Sequence, residues 1–393
     1  MADQGRVYLD HAATTPLDPR VLDAMRPVLE STWGNPSSIY AEGREARRAL
    51  DAARRDVAEV LGARTNDIVF TSGGSESDNT AIRGAAFASE RRGKHIITSA
   101  IEHHAVLHTV EQLEREGFSA TYLPVDAEGF VSRDDLRAAL RPDTTVVSIM
   151  YANNEVGTIE PIADLVRTAK DFGRHIVFHT DAVQAAGALD LNVDALGVDM
   201  LSLAAHKFYG PKGVGALYVR PRTPFVGQLL GGSQERNRRA GTEDVAGAVG
   251  FAKALQLAEA EREANVAHVL VLRDHLAAEL PRRMPGVRLT GPSDPRKRSP
   301  NSFSCCLEGV EGEAVLIQLD LNGISASSGS ACTTGSLEPS HVLTAMGVPA
   351  DIARGSLRVT LGHENTLEDI DRLLNTLPRA VEKLRALAPQ IAT

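Results

Sequence analysis

Short apolar runs recur along the middle of the chain, at positions 67–71, 95–98, 121–124, 145–150, 176–180, 200–204 and 215–219. Between most of them lie stretches, such as 105–116, 133–140 and 162–172, whose apolar residues return at helical spacing and whose other face is charged. Continuous apolar strands separated by amphipathic helices predict a mostly parallel sheet covered on both sides, because each crossover helix buries one face of the sheet.

Past residue 219 the pattern changes. A helical periodicity spans 245–280 and is predicted to stop at Pro281. The polar, Pro-rich stretch 291–300 (GPSDPRKRSP) reads as an exposed loop. A strand pattern at 301–307 and a helix pattern at 312–321 follow it. This shorter arrangement predicts a second, smaller α+β domain, to which a strand near residues 7–9 is free to belong. No internal repeat interrupts the pattern.

Composition narrows the class. A chain of 393 residues exceeds one ordinary core and suits two or three domains. With 43% hydrophobic and 24% charged residues it is a globular composition, and 33 glycines against 4% aromatics favour an α/β protein rich in tight turns. The net charge of −9 argues against non-specific attraction to nucleic acid or anionic membrane. The pairs Arg47/Arg48, Arg54/Arg55 and Arg91/Arg92 sit in acidic helical stretches and read as solvated faces. No apolar run of about 18 residues predicts a membrane span, and the N-terminus lacks the basic and apolar regions of a leader. Three cysteines, Cys305, Cys306 and Cys332, are too few for a disulfide framework. A reducing cytoplasm is the expected compartment.

Three segments carry candidate chemistry. In Thr71-Ser72-Gly73-Gly74-Ser75-Glu76, a small turn follows a strand and opens a helix, so free backbone N–H groups and the positive helix end can face an anion. Asp181, in HTDAVQ, ends a buried strand, where open α/β sheets place their ligands. Read alone, it also suits a helix cap. Lys207, in AAHKFYGPKG, follows an apolar strand, and a buried lysine is costly unless used. Its deprotonated amine can form a Schiff base, whereas Lys212 reads as a snorkelling surface lysine. In this order the segments supply a phosphate cradle, a partner for a ring nitrogen and a Schiff-base lysine.

With these and further segments the chain resembles the cysteine desulfurases of iron–sulfur cluster assembly and nitrogen fixation. These are fold-type-I pyridoxal-phosphate (PLP) enzymes related to aminotransferases. The matching segments are YLDHAATTP, GNPSS, FTSGGSESDN, ITSAIEHHAV, NNEVGT, HTDAVQ, AAHKFYGPKGVGALY, RRAGTED, SSGSACTTGSLEPSHVL and GSLRVTLG. The resemblance implies an aspartate-aminotransferase-like fold, with a large PLP-binding domain over 15–257 and a small domain formed by 1–14 and 258–393. It implies that Lys207 carries the cofactor, His103 stacks on its ring, Asp181 pairs with the ring nitrogen and Gln184 contacts the phenolic oxygen. Gly74, Ser75 and His206 would hold the phosphate, and Thr242 would reach that of the neighbouring subunit in a homodimer. Asn154 and Arg358 would fix the substrate, the arginine by a two-point grip on its carboxylate.

Cys332 would be the nucleophile that takes sulfur from L-cysteine, leaving L-alanine and a persulfide, with His103 as the proton acceptor. Its surroundings, Ser327 to Ser336, are nearly all small or polar and suit a mobile loop. Cys305 and Cys306, in a strand-like run, read as core. No intrinsic metal site is expected, although Cys332 could transiently ligate an iron–sulfur cluster with a scaffold. The sulfur acceptor would be an iron–sulfur scaffold or a tRNA-thiolation carrier, and a selenocysteine lyase is the nearest alternative activity. Two departures from the family pattern stand out. Ala204 replaces a phosphate-binding serine of many relatives, leaving Ser202 or a backbone group to substitute. Residues 362–365 (GHEN) lack the aromatic residue of some housekeeping members.

Overall fold

The apolar runs become strands. In the computed structural model of the protein, which describes residues 5–329 and 339–387, they are β1 (Val7–Tyr8), β2 (Ile68–Thr71), β3 (His95–Ser99), β4 (Ser119–Leu123), β5 (Thr144–Ser148), β6 (Val177–Asp181), β7 (Met200–Ala204), β8 (Gly215–Val219), β9 (Val287–Leu289), β10 (Ser302–Leu307), β11 (Ile324–Ser325) and β12 (Ser356–Thr360). Seven form one sheet in the order β2-β8-β7-β6-β5-β3-β4. β8 runs antiparallel to both its neighbours, and the remaining pairings are parallel. Every residue of β3, β5, β6 and β7 is buried. That explains the continuous apolar runs, since helices cover both faces.

A second group of strands is antiparallel, in the order β12-β10-β9, with β1 and β11 paired beside it. The core of the large sheet draws on residues from Val21 to Leu255, and a separate core joins Val7 and Leu9 to residues from Val269 to Val381. Cys305 lies in that second core, and Cys306 is equally buried nearby. Burial pushes the Cys306 thiol up to about 11. No helix among the described residues is long and apolar enough to cross a membrane.

Three expectations need correction. Arg54, expected with Arg55 on a solvated helix face, is 2% exposed and pairs with Glu235. The single helix over 245–280 is two helices, Val245–Ala260 and Arg262–Arg283, joined at Glu261, which leaves helical geometry at φ −101° and ψ 2°. The first packs on the large core and the second on the small one, so the apolar face changes partner at the joint. Pro281 does not stop the second helix, which runs two residues further to Arg283 without the bond that an N–H at position 281 would make to Ala277 O. The segment 291–300 is exposed only in its middle. Arg298 donates to Val156 O and Pro292 O, and Ser299 N donates to Gly157 O at 2.6 Å. The loop thus braces the NNEVGT turn.

Candidate active site

The carboxyl ends of the parallel strands open on one edge of the large sheet, where β6 delivers Asp181 and β7 delivers Ala204. A short 3-10 turn, Ala205–Lys207, follows β7 and turns the lysine back over that edge. Gly74 and Ser75, at the start of the Gly74–Ser89 helix, close one side of the cleft, and Arg358 from β12 closes another. His103, Asn154, Gln184 and His206 also line it. The free space is about 340 Å³, within the range of small-molecule sites.

Lys207 and Gln184 share one acceptor. Lys207 Nζ donates to Ala12 O at 2.5 Å and to Ala13 O at 2.9 Å, and Gln184 Nε2 donates to Ala12 O at 3.0 Å. The YLDHAATTP turn thus holds the amine in the cleft. Asp181 is 5% exposed and accepts from Val183 N at 2.9 Å. Burial pushes its carboxyl up to about 6, with the Val183 amide and Lys207 pulling the other way. Behind it, His179 bridges the hydroxyls of Ser148 and Ser202 at 2.9 Å each, and its Nε2 lies 3.6 Å from Asp78. Burial holds His179 down at about 3, so it is neutral, and raises Asp78.

The cradle has a space requirement that glycine meets. A Cβ on Gly74 would come within 2.8 Å of Val183 Cγ2, so a side chain there would crowd the turn. Ser202 does not replace the missing serine hydroxyl at Ala204, because its Oγ is engaged by His179 inside the sheet. His206 Nδ1 lies 3.2 Å from Thr14 Oγ1, and burial, then Lys207, lowers its imidazole to about 4. Thr242 is exposed on a loop and does not line its own chain's cleft.

At the other end, Arg358 is 2% exposed. It donates from NH2 to Asp10 Oδ1 at 2.8 Å and from NH1 to the backbone O of Asn154 at 2.9 Å. Asn153 shapes that turn, since its Oδ1 accepts from Glu155 N and Val156 N. His103 caps the His104–Arg115 helix, its Nδ1 accepting from Ala105 N at 3.1 Å. That bond puts the hydrogen of the neutral ring on Nε2. Burial first, then Lys207 and the neighbouring histidines, lowers His103 to about 4.

Sequence reasoning passed over several of these groups. Asp10 sits in the YLDHAATTP segment, whose pattern alone does not point to a role for it. Glu102 is buried, accepting from Ser99 Oγ and Met150 N, and is pushed up to about 8 by burial. Glu155 accepts a 2.5 Å bond from Ser340 Oγ, and its Oε2 fills the space that a Cβ on Gly329 would need, so it stands between residues on either side of the cysteine segment. Buried acids standing next to assigned residues, as Glu155 does beside Asn154, were the available signal. Cys332 itself lies outside the described residues.

Comparison with known proteins places this cleft in context. A family profile described as aminotransferase class-V matches residues 7–373. A protein from Dictyoglomus turgidum named cysteine desulfurase IscS is 54% identical over 383 residues, covering 98% of this chain and 96% of that one. A solved NifS-like protein superposes with a TM-score of 0.91 at 38% identity, over 96% of this chain and all of the other. Another, described as SspA in complex with cysteine, gives 0.79 at 36% identity, over 92% and 100%.

Proposed function

This chain belongs to the aminotransferase class-V family, and we propose that it is a PLP-dependent cysteine desulfurase that converts L-cysteine to L-alanine and carries the sulfur as a persulfide on Cys332. The observation that carries this reading is the convergence of Lys207, Asp181 and the Gly74–Ser75 turn on one cleft, with a buried arginine at its far end. Relatives named cysteine desulfurase, similar over nearly the whole chain, supply the reaction.

The residues fit PLP. The bare Gly74 turn suits a phosphate, because the first amides of a helix have no intrahelical acceptor. A buried carboxylate such as Asp181, whose charged form is costly without a partner, suits a protonated ring nitrogen. Bound there, PLP would supply an electron sink for the substrate Cα. Gly74, Ser75 and His206 would hold its phosphate, and Gln184 would contact its phenolic oxygen. His103, neutral at physiological pH, would cover its ring.

The chain's own residues do the rest. Arg358 would grip the substrate carboxylate and Asn154 would fix the substrate beside it. Lys207 would take the proton from the substrate Cα. The Cys332 thiolate would attack the substrate sulfur, so that an S–S bond forms as the Cβ–S bond breaks. His103 would accept the thiol proton at Nε2, a step that needs the tautomer released from Ala105.

Thr242 would complete the partner's phosphate site in a homodimer, and an iron–sulfur scaffold would take the persulfide. Alanine and sulfide should form in equal amounts from L-cysteine with a reductant present. Sulfide without alanine would overturn the assignment, and parallel reactions with selenocysteine rank the two substrates.

A further inference from the structure

The arm that ends in RRAGTED has an uncommon backbone. Glu235, Arg236 and Asn237 have φ values of 46°, 57° and 63°, a left-handed run without a glycine. Such conformations are unfavourable for residues that carry a Cβ, so other contacts must impose this one. Glu235 supplies them. Its buried carboxylate accepts from Arg54 NH1 and NH2 at 2.5 and 2.6 Å and from Phe70 N at 3.2 Å. Arg54 also donates to Ile68 O at 2.8 Å and lies over the Phe70 ring. Loss of either partner would strand a buried charge, which fixes the arm at its start.

From that anchor the chain reaches Arg239. Its guanidinium donates to the two carboxylate oxygens of Glu76, at 2.9 and 3.3 Å. Glu76 lies in the first turn of the Gly74–Ser89 helix, and its Oε2 also accepts from Ser72 N at 2.7 Å. Ser72 begins the turn that forms the phosphate cradle. One carboxylate therefore joins the cradle to the arm carrying Thr242. Both side chains of the pair are only 20% exposed, and a forked arginine–carboxylate contact fixes direction as well as distance.

We infer that Arg239 and Glu76 are positioning residues for the cofactor, tying the Thr242 arm to the phosphate cradle of the same chain. The inference rests on the PLP reading above. Displacing the arm from Glu76 loosens the cradle of its own chain and, through Thr242, that of the partner.

The test follows cofactor release from purified holoenzyme on dilution, by the absorbance of bound PLP, with sedimentation to monitor the dimer. Arg239→Ala removes the fork. Glu76→Gln keeps an acceptor for Ser72 N but loses the charge facing Arg239. Each should speed release by about fivefold to tenfold, the loss of roughly one charge-assisted bond, with the dimer intact. The double variant should release no faster than the faster single, because both changes delete the same contact. Release at the wild-type rate in Arg239→Ala overturns the inference. So do additive losses in the double variant, or release that merely follows dimer dissociation. Wild-type enzyme with no cofactor on Lys207 would instead sink the PLP reading itself.

Discussion

Asp10 and Arg358, which lines the cleft, form an ion pair of 2.8 Å although 348 positions separate them in sequence. The arginine expected to hold the substrate carboxylate therefore already has a carboxylate at NH2 and a backbone oxygen at NH1. Asp10 sets the direction of the guanidinium and offsets its charge while the substrate is away.

Asp10→Ala should raise KM for cysteine by roughly tenfold with a smaller change in kcat, since a buried arginine that loses a partner loses its orientation. Arg358→Lys, which keeps the charge but not the fork, should raise KM further. Steady-state kinetics on the two variants check this. An unchanged KM in Arg358→Lys removes the arginine from substrate binding.

Asp181→Asn keeps the shape and the acceptor for Val183 N but discards the charge. The rate of alanine formation should fall by about a hundredfold or more, as expected when a preorganised charge leaves an enclosed site. Wild-type turnover in this variant would show that Asp181 is only the cap of the segment after β6.

Glu102 predicts a pH signature in stability. Its carboxyl is pushed up to about 8 in the fold, against 4.5 for an ordinary glutamate. Between those values the unfolded chain sheds a proton that the folded chain keeps, so this group's contribution to stability declines as pH rises through the window. Glu102→Gln has no such proton and still offers an acceptor to Met150 N. The Tm of the variant minus that of the wild type should therefore grow from about pH 4.5 to about pH 8 and then level off. A difference independent of pH would contradict the assignment.

Lys207→Ala should abolish the borohydride-stable attachment of PLP to the protein while leaving the fold near its wild-type Tm, because Ala12 O, one of the acceptors of its Nζ, keeps its bond from Gln184 Nε2. Mass measurement after reduction gives the answer. Attachment at the wild-type level would move the anchor to another lysine.

What could be read from the chain was what depends on residue type and local order. Continuous apolar strands pointed to the buried parallel sheet, and Lys207, Asp181 and Gly74 each followed such a strand. What could not be read was pairing at a distance. Asp10 with Arg358, Arg54 with Glu235 and Glu76 with Arg239 join segments that only the fold brings together. Ser202 looked available for phosphate until the sheet turned its hydroxyl to His179. The break at Glu261 is not legible in the sequence, because helical periodicity continues through it while the core it faces changes. Segment 291–300 looked like free surface because its composition is polar, yet Arg298 spends its donors on backbone carbonyls beneath it.

In the proposed function, sulfur leaves cysteine and lands on Cys332. The most direct measurement is peptide mass mapping of the enzyme after brief exposure to L-cysteine without reductant, followed by alkylation. The expected result is an added sulfur atom on the peptide containing Cys332 and none on the buried pair Cys305 and Cys306, in step with the alanine released. Alanine formed with the added sulfur on Cys305 or Cys306, or on no cysteine at all, would contradict it.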